Sequence, residues 1–382
     1  MPLELIDVAA AEDRRDVVHR AVQALAEGRL VAFPTETVYG LAASALNEEA
    51  VERLIGAKGR PEGQPLALAI RSADEARDYV PDLSPLAQRF ARRCWPGPVT
   101  LVVDDTHPES LVRQLPDGVR KAVSPQETVG LRVPGHQIIL DVLRMLAGPL
   151  TLSSANLSGM PDAVSAEEVV QSLGELVDLV LDDGPCRFGQ PSSVVRVTDN
   201  RYEVLRIGVV PEKTLQRLSN LMILLVCTGN TCRSPMAELI CRDMLARRLG
   251  CSIDELEGGQ GRRPGVIVTS AGIAAMMGGH ASVEAVRAVA EMGLDLRDHE
   301  TQPLTGMLIR HADLILTMTH SHREAIVTQW PGAAERTLQL SQDGLDISDP
   351  IGGPLARYKQ CAGQIRAELE ARLDELDLEA NN

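Results

Sequence analysis

Aromatic side chains are scarce in this 382-residue chain: three Phe, four Tyr and two Trp. No apolar run reaches the roughly 18 residues that a membrane-spanning helix needs, which excludes a helical membrane protein. Basic residues are also short, 38 Lys and Arg against 53 Asp and Glu, for a formal net charge of −15. That balance argues against strong direct nucleic-acid binding and against an anionic membrane surface. Met1–Asp16 carries neither a basic region nor an apolar stretch, so neither a secretory signal nor a transit peptide is expected. Seven cysteines at irregular spacing are too few for a disulfide scaffold and lack metal-ligand spacing. A reducing, cytoplasmic setting is expected. What is present is an ordinary globular composition, 44% hydrophobic and 24% charged. The length argues for two domains.

Short β-branched runs bounded by Gly, Pro or Asp read as strands. In the first half these are Leu30–Pro34, Leu66–Ile70, Val99–Asp104, Val129–Pro134, Leu150–Ser154, Leu179–Asp183, Ser192–Val197 and Glu203–Gly208. Helical patterns lie between them at Asn47–Gly56, Ser84–Cys94, Gln137–Ala147 and Ser165–Leu173. The alternation predicts an α/β domain over residues 1–212, followed by a polar linker, 213–220, with room for one helical turn. A second α/β unit, 221–382, opens with a strand at Met222–Val226 and a long helix starting at Pro235. Further strands are expected at Val266–Ser270, Leu314–Met318 and Thr337–Leu340. Further helices are expected at Ser282–Met292, Pro303–Ile309, Ser321–Gln329 and Pro354–Leu376, before a frayed end at Glu379–Asn382.

The sharpest motif is Val226-Cys-Thr-Gly-Asn-Thr-Cys-Arg-Ser-Pro235. Cys227 stands just past an apolar strand, and Arg233 follows six residues later where a helix begins. A loop wrapped between strand end and helix start points backbone N–H groups of Thr228, Gly229, Asn230, Thr231 and Cys232 inward, and the helix terminus adds positive potential. That is a phosphate cradle, and its field favours the thiolate form of Cys227. The planar fork of Arg233 can clamp two phosphate oxygens. Gly229 and Asn230 tolerate the positive φ of a tight loop. Transfer of a phosphoryl group to sulfur also needs an acid for the leaving group. Asp349, in a loop stiffened by Pro350, is the candidate.

With Ser270-Ala-Gly272 and Asp349-Pro350, this motif resembles the low-molecular-weight protein phosphatase family over nearly all of Leu221–Leu376. The resemblance implies a four-stranded parallel sheet with helices on both faces. It implies Cys227 as nucleophile, Arg233 as phosphate clamp and Asp349 as general acid, with a phosphocysteine intermediate and no cofactor. Tyrosine phosphatases of the family carry aromatic residues after Asp-Pro; here those places are Ile351, Gly352 and Gly353. Thr231 and that Gly-Gly pair, with Met318-Thr-His-Ser-His322 and Tyr358, are similar to the protein arginine phosphatase branch. A small polar Thr leaves room for a guanidinium, and Asp349 could pair with its charge. Phosphoarginine is therefore favoured over phosphotyrosine as the group on the protein substrate. The family pattern also suggests a reversible disulfide between Cys227 and Cys232; a packing role for Cys232 is the alternative. The other five cysteines read as packing residues.

The first 210 residues lack GxxxxGK[ST] and GxGxxG. They carry instead Pro34-Thr-Glu-Thr-Val-Tyr-Gly40, Ala57-Lys-Gly-Arg-Pro61 and Ser153-Ser-Ala-Asn-Leu-Ser-Gly159. Lys58 and Arg60 straddle a glycine, so two cations can converge on one anion. With WPGPVTLV, GLRVPGH, DDGPCRFGQPSSVV and Leu205-Arg-Ile-Gly208, these strings resemble the YrdC-like threonylcarbamoyl-adenylate synthases over about Ala21–Val210. The implied fold is a twisted mixed sheet with helices. The implied reaction joins L-threonine, bicarbonate and ATP into threonylcarbamoyl-AMP and pyrophosphate, with magnesium on the phosphates. Other proteins would then move the threonylcarbamoyl group to tRNA.

Residue by residue, the resemblance places Lys58, Arg60, Ser154 and Asn156 around the ATP phosphates. It places Thr100, Ser192 and Arg206 along the nucleotide and its carboxy-threonine partner, and Thr35 and Arg132 at threonine. Three positions depart from the family pattern: Gln64 stands for Asn, Ala69 for His, and Ser193 for Thr. Two other readings stand beside the two-site enzyme: an RNA-binding YrdC-like module joined to an active tyrosine phosphatase, and an active phosphatase with a degenerate first domain.

Overall fold

The computed structural model describes residues 3–59, 63–258 and 265–375. The chain divides into two compact units, Met1–Leu215 and Gln216–Asn382. The division falls inside the polar segment read as a linker. Most of that segment is a helix, Glu212–Ser219, with Leu215 buried.

The first unit holds ten strands: β1 (Glu4–Asp7), β2 (Val31–Phe33), β3 (Gly40–Ser44), β4 (Ala67–Ala69), β5 (Val99–Asp104), β6 (Thr128–Arg132), β7 (Leu150–Ser154), β8 (Leu179–Asp182), β9 (Ser193–Thr198) and β10 (Arg201–Arg206). They form one mixed sheet in the order β1-β8-β2-β3-β7-β4-β6-β5-β9-β10. The central β3–β7 and β4–β7 pairs are antiparallel, while β4–β6 and β5–β9 are parallel. β5 and β7 have the bounds that the sequence predicts. β3 gives no strand signal because its residues are Gly-Leu-Ala-Ala-Ser. Its place in the sheet demands small residues: a Cβ on Gly40 would stand 2.7 Å from the Leu152 side chain.

A helix at Arg14–Ala26 is a second element that the sequence reading passed over. Asp13 caps it by accepting from the Arg15 N–H, and it buries Val17, Val18, Ala21, Ala24 and Leu25. Those residues recur at the three-and-four spacing of one helix face, but small alanines among charged residues mute the pattern. The stripe packs into a core with Ile6, Phe33, Ile139, Val142 and Leu181.

The second unit holds β11 (Leu221–Cys227), β12 (Val266–Gly272), β13 (Leu314–Thr317) and β14 (Thr337–Gln339), in the order β12-β11-β13-β14. Every pairing is parallel, as expected. A parallel sheet is covered on both faces, so its central strand reads as continuous apolar sequence. β11 does so, with all seven residues buried. Its Leu221, Ile223, Leu225 and Cys227 enter one core, with Ile240, Val289 and Ile365 from three helices. Leu224 and Val226 enter the opposite core, with Ile309 and Ile326. Burying each of these Leu or Ile side chains contributes about 1.5–3 kcal/mol. The packing fixes the carboxyl ends of β11 and β12, where ligands bind in open α/β sheets.

Candidate active sites

Cys227 is the last residue of β11 and is 3% exposed. The following helix spans Arg233–Leu249, so it begins two residues before the expected Pro235. Pro235 thus lies in the first turn, where its missing N–H costs no intrahelical bond. Asn230 takes the left-handed backbone that so tight a loop requires, with φ 55°. Its side chain pins the loop from within. The amide nitrogen donates to Ser234 Oγ at 3.0 Å and to Ser270 Oγ at 2.8 Å, and Oδ1 accepts from the Gln302 N–H at 2.9 Å. Its carbonyl oxygen meets His299 Nε2 at 2.9 Å.

The thiol is met by the Asn230 N–H at 3.3 Å and by Ser234 Oγ at 2.9 Å. Behind this ring, Ser270 donates to Glu238 at 2.6 Å. Burial pushes the Glu238 carboxyl up from its ordinary value, against the pull of the Ser270 bond. Glu238, Ser234 and His299 were not singled out from the sequence. Its i,i+4 spacing from Ser234 on the helix could have flagged Glu238, but nothing local flags His299.

Arg233 is 5% exposed, and its guanidinium donates to Asp349 Oδ2 at 2.5 Å and to the Ile347 carbonyl at 3.2 Å. The structure therefore joins Arg233 to Asp349, and Arg233 opens the helix that follows the Cys227 loop. The loop that carries Asp349 is anchored at its base: Asp346 Oδ1 accepts from the His320 N–H and the Gln339 amide, both at 2.8 Å. Ile351, two residues beyond Asp349, is exposed, and the residues directly after the Asp-Pro pair, Ile351, Gly352 and Gly353, are not aromatic. Thr231 is half-buried and its carbonyl accepts from the Ser282 N–H at 2.9 Å. Cys227 and Cys232 are free thiols. Cys232 Sγ lies 3.3 Å from Ser282 Oγ and 3.7 Å from the Tyr358 hydroxyl. The Thr228 hydroxyl meets His322 Nε2 at 2.9 Å.

The first unit encloses a cavity of about 380 Å³. Thr35, Thr100, Arg132, Ser154, Ser192 and Arg206 all line it, six of the nine residues that the sequence assigned to ATP and threonine. Arg196 lines it as well, and among the described residues no Asp or Glu does. The lining hydroxyls and guanidiniums suit an anion, although Arg132 is already paired with Glu36 and Arg196 with Asp104 at 3.8 Å. Lys58 and Asn156 stand behind Ser154. Lys58, 3% exposed, donates to the Ser154 carbonyl, to the Asn156 carbonyl at 2.8 Å and to Asn156 Oδ1 at 3.2 Å. It is the last residue of helix Glu48–Lys58, which Gly59 closes in the left-handed region. Arg60 lies outside the described residues.

Arg132 donates to Glu36 at 2.7 Å, to Thr37 at 2.9 Å and to the Gly97 carbonyl at 3.3 Å. The other Glu36 oxygen accepts from the Gly135 N–H at 2.7 Å. Glu36 was missed; its signal was a lone charge inside Pro34–Gly40. Ala69 pairs in register with Arg132 across β4 and β6. On the far side, Thr100 and Ser192 hydroxyls lie 3.0 Å apart, and Arg206 donates to the Ser192 carbonyl at 2.9 Å and to its hydroxyl at 3.2 Å. A register irregularity between Val204 and Arg206 sets Arg206 opposite Val194. Ser193 Oγ accepts from the N–H groups of Gly208 and Val210, both at 3.0 Å, and donates to the Val210 carbonyl at 2.8 Å.

Two family models match the chain: Telomere recombination, the Sua5/YciO/YrdC model, over residues 23–208, and Low molecular weight phosphotyrosine protein phosphatase over residues 222–382. The chain is a fusion of these two families. The YrdC-like domain is 37% identical over 192 residues to the threonylcarbamoyl-AMP synthase of Pyrococcus abyssi, covering 50% of this chain and 54% of that protein. It is also 37% identical over 207 residues to a putative threonylcarbamoyl-AMP synthase of Mycobacterium leprae, covering 54% and 90%. The chain thus spans about half the length of the archaeal relative and nearly all of the mycobacterial one. A solved structure of a Pyrococcus abyssi Sua5 variant matches with TM-score 0.50 and 23% identity over 96% of this chain and 97% of that one, a likeness of fold. The phosphatase-family domain is 33% identical to the YwlE arginine phosphatase of Geobacillus stearothermophilus, with TM-score 0.36 over 42% of this chain and 94% of that one. Among the described residues, no helix is long and apolar enough to cross a membrane.

Proposed function

We propose that the chain is an enzyme with two active sites. In the YrdC-like domain, bicarbonate and the amine of L-threonine would condense to a carbamate with loss of water. A carbamate oxygen then attacks the α-phosphorus of ATP, pyrophosphate leaves, and threonylcarbamoyl-AMP forms. Lys58 and Asn156 shape the phosphate end through Ser154. Thr100, Ser192 and Arg206 hold the nucleotide and its carboxy-threonine partner, and Thr35 and Arg132 face threonine. The Arg60 assignment rests on the sequence alone.

Among the described residues no three His, Cys, Asp or Glu side chains gather as a metal site. Magnesium would enter on the phosphates of ATP, as it commonly does, and supply charge neutralisation there. The observation that carries this reading is the meeting of six sequence-assigned residues on one cavity. The test is ATP-, threonine- and bicarbonate-dependent release of pyrophosphate, absent in Lys58→Ala. Salt-sensitive tRNA binding with no pyrophosphate release would instead support an RNA-binding module. The product would pass to proteins that modify tRNA in the cytoplasm.

In the phosphatase domain, Cys227 Sγ attacks phosphorus while Asp349 gives its proton to the leaving atom. The loop N–H groups and Arg233 take the charge that develops on the phosphoryl oxygens. Water then attacks the phosphocysteine, returns a proton to Asp349 and releases phosphate. The Arg233–Asp349 contact supports this reading, since it holds clamp and acid together. Phosphoarginine is the favoured group. The sequence offers Thr231 in the phosphate loop and Ile351, Gly352 and Gly353 where an aromatic wall for a phenyl ring would follow Asp-Pro, and Asp349 can pair with a guanidinium. Matched phosphoarginine and phosphotyrosine peptides, with Cys227→Ser as the blank, test the choice; faster phosphotyrosine hydrolysis would reverse it.

A further inference from the structure

Thr228 is the residue after the proposed nucleophile, and one imidazole meets its hydroxyl: Oγ1 lies 2.9 Å from His322 Nε2. The ring comes from the first turn of helix His320–Gln329 and is 7% exposed. Its other nitrogen, Nδ1, is buried without a hydrogen-bond partner. Burial and the nearby Arg233 guanidinium push the imidazole down to about 4, against the opposing pull of Asp346 and Asp349. The ring is therefore neutral near pH 7 and carries one proton.

Two tautomers are available. A proton on Nδ1 would leave a buried N–H unpaired, and orphaned buried donors are rarer in folded proteins than under-satisfied acceptors. A proton on Nε2 is satisfied by Thr228 and strands only a lone pair. The enclosure of the ring thus selects the Nε2–H form, which donates to Thr228. The Thr228 hydroxyl then accepts from the ring and keeps its own proton to give. Thr228 is exposed at the mouth of the phosphate loop, and a phosphoryl group there presents acceptor oxygens.

We propose that His322 is a positioning residue that fixes Thr228 as a hydrogen-bond donor to the phosphoryl group in the loop. The role rests on the reading of Cys227 as nucleophile. The same turn also ties down the loop of the acid. The His320 N–H donates to Asp346 Oδ1 at 2.8 Å, and the Met318 carbonyl accepts from the Ile347 N–H at 2.8 Å. The segment from Met318 to His322 therefore holds the phosphate loop through a side chain and the acid loop through the backbone.

The experiment uses the full chain with Thr228→Val, His322→Leu, His322→Gln and the Thr228→Val/His322→Leu pair. Each of the first two is expected to lower kcat/KM for the phosphorylated peptide about five- to tenfold, the size of one lost hydrogen bond. The pair should be no worse than Thr228→Val alone, because His322 acts through that hydroxyl. His322→Gln, which can offer an amide N–H in the place of Nε2–H, should recover most of the loss. Losses that multiply in the pair would overturn the proposal. Thermal unfolding of each variant separates misfolding from a local effect. Imidazole 15N resonances of the wild-type chain, with His322 assigned by its loss in His322→Gln, give a readout independent of turnover. The Nε2–H form, shifted by inorganic phosphate, is expected. The Nδ1–H form, or no response to phosphate, would sink the proposal. A chain that hydrolyses no phosphorylated peptide yet shows the shifted Nε2–H form would fail the nucleophile reading and retain the placement of His322.

Discussion

Replacing Gly272 with alanine should cripple the thiol site without touching a residue that contacts substrate. Gly272 ends β12 beside the phosphate loop, and its φ lies outside the left-handed region, so the backbone itself accepts alanine. The obstacle is space. A Cβ there would stand 2.6 Å from the Thr228 carbonyl oxygen, 2.7 Å from the Ala275 Cβ and 2.9 Å from the Asn230 nitrogen. Ordinary contact begins at 3.4 Å, so the methyl group intrudes on the loop by about 0.8 Å. Neither loop atom belongs to a flexible side chain, and the bonds of Asn230 prevent the loop from retreating freely. Overpacking of this kind costs about 1–3 kcal/mol in stability. Misplacement of catalytic groups by about 1 Å costs up to about a hundredfold in rate. The expected result is a ten- to hundredfold fall in kcat/KM on a phosphorylated peptide, with a lower unfolding temperature for this domain. ATP- and threonine-dependent pyrophosphate release, measured on the same sample, reports whether the YrdC-like domain is intact. Wild-type phosphatase kinetics in Gly272→Ala would refute the view that β12 walls the loop.

Three further outcomes follow from the geometry. Arg132→Met strands the buried Glu36 carboxylate and should destabilise the YrdC-like domain by about 3–5 kcal/mol in urea unfolding; adding Glu36→Gln should restore part of that. Gly208→Ala would set a Cβ 2.1 Å from the Pro191 carbonyl oxygen, next to Ser192, so KM for ATP should rise several-fold in the pyrophosphate assay. His322 has a folded value of about 4, below its ordinary 6.5. Its stability contribution is complete above pH 6.5 and is lost as pH falls towards 4, at no more than about 1.4 kcal/mol per pH unit. Urea unfolding at pH 7 and pH 5 should show a flatter dependence in His322→Gln.

The parts of the fold that carried chemistry were legible because their signals are local. The strand–loop–helix from Leu221 onward shows itself in seven consecutive buried residues followed by a loop sequence with few conformational options. Val99–Asp104 and Leu150–Ser154 were readable because β-branched or leucine-rich runs ended at turn residues. β3 was not, because strand character there comes from neighbours that require small side chains. The same holds for the supporting groups. Glu36, Glu238 and His299 act through partners 30 or more residues away in sequence, and only folding reveals the distance that matters. Six ATP and threonine residues spread from Thr35 to Arg206 were each assigned by motif, yet only the cavity shows that they share one space.

The irregularity in β10 has a consequence beyond the aim of Arg206. β10 is the outermost strand of the ten-stranded sheet, and an outer strand with free backbone groups invites a second chain to pair with it. Here the ladder is broken between Val204 and Arg206, and Arg201 and Glu203 place exposed charges on the strand. A flat, apolar rim would recruit copies of itself into aggregates; this one is bent and charged. The kink that turns a guanidinium to the cavity also spoils the template for edge-to-edge growth. Straightening it by deleting Leu205 should therefore cost solubility along with nucleotide binding, two losses from one backbone feature.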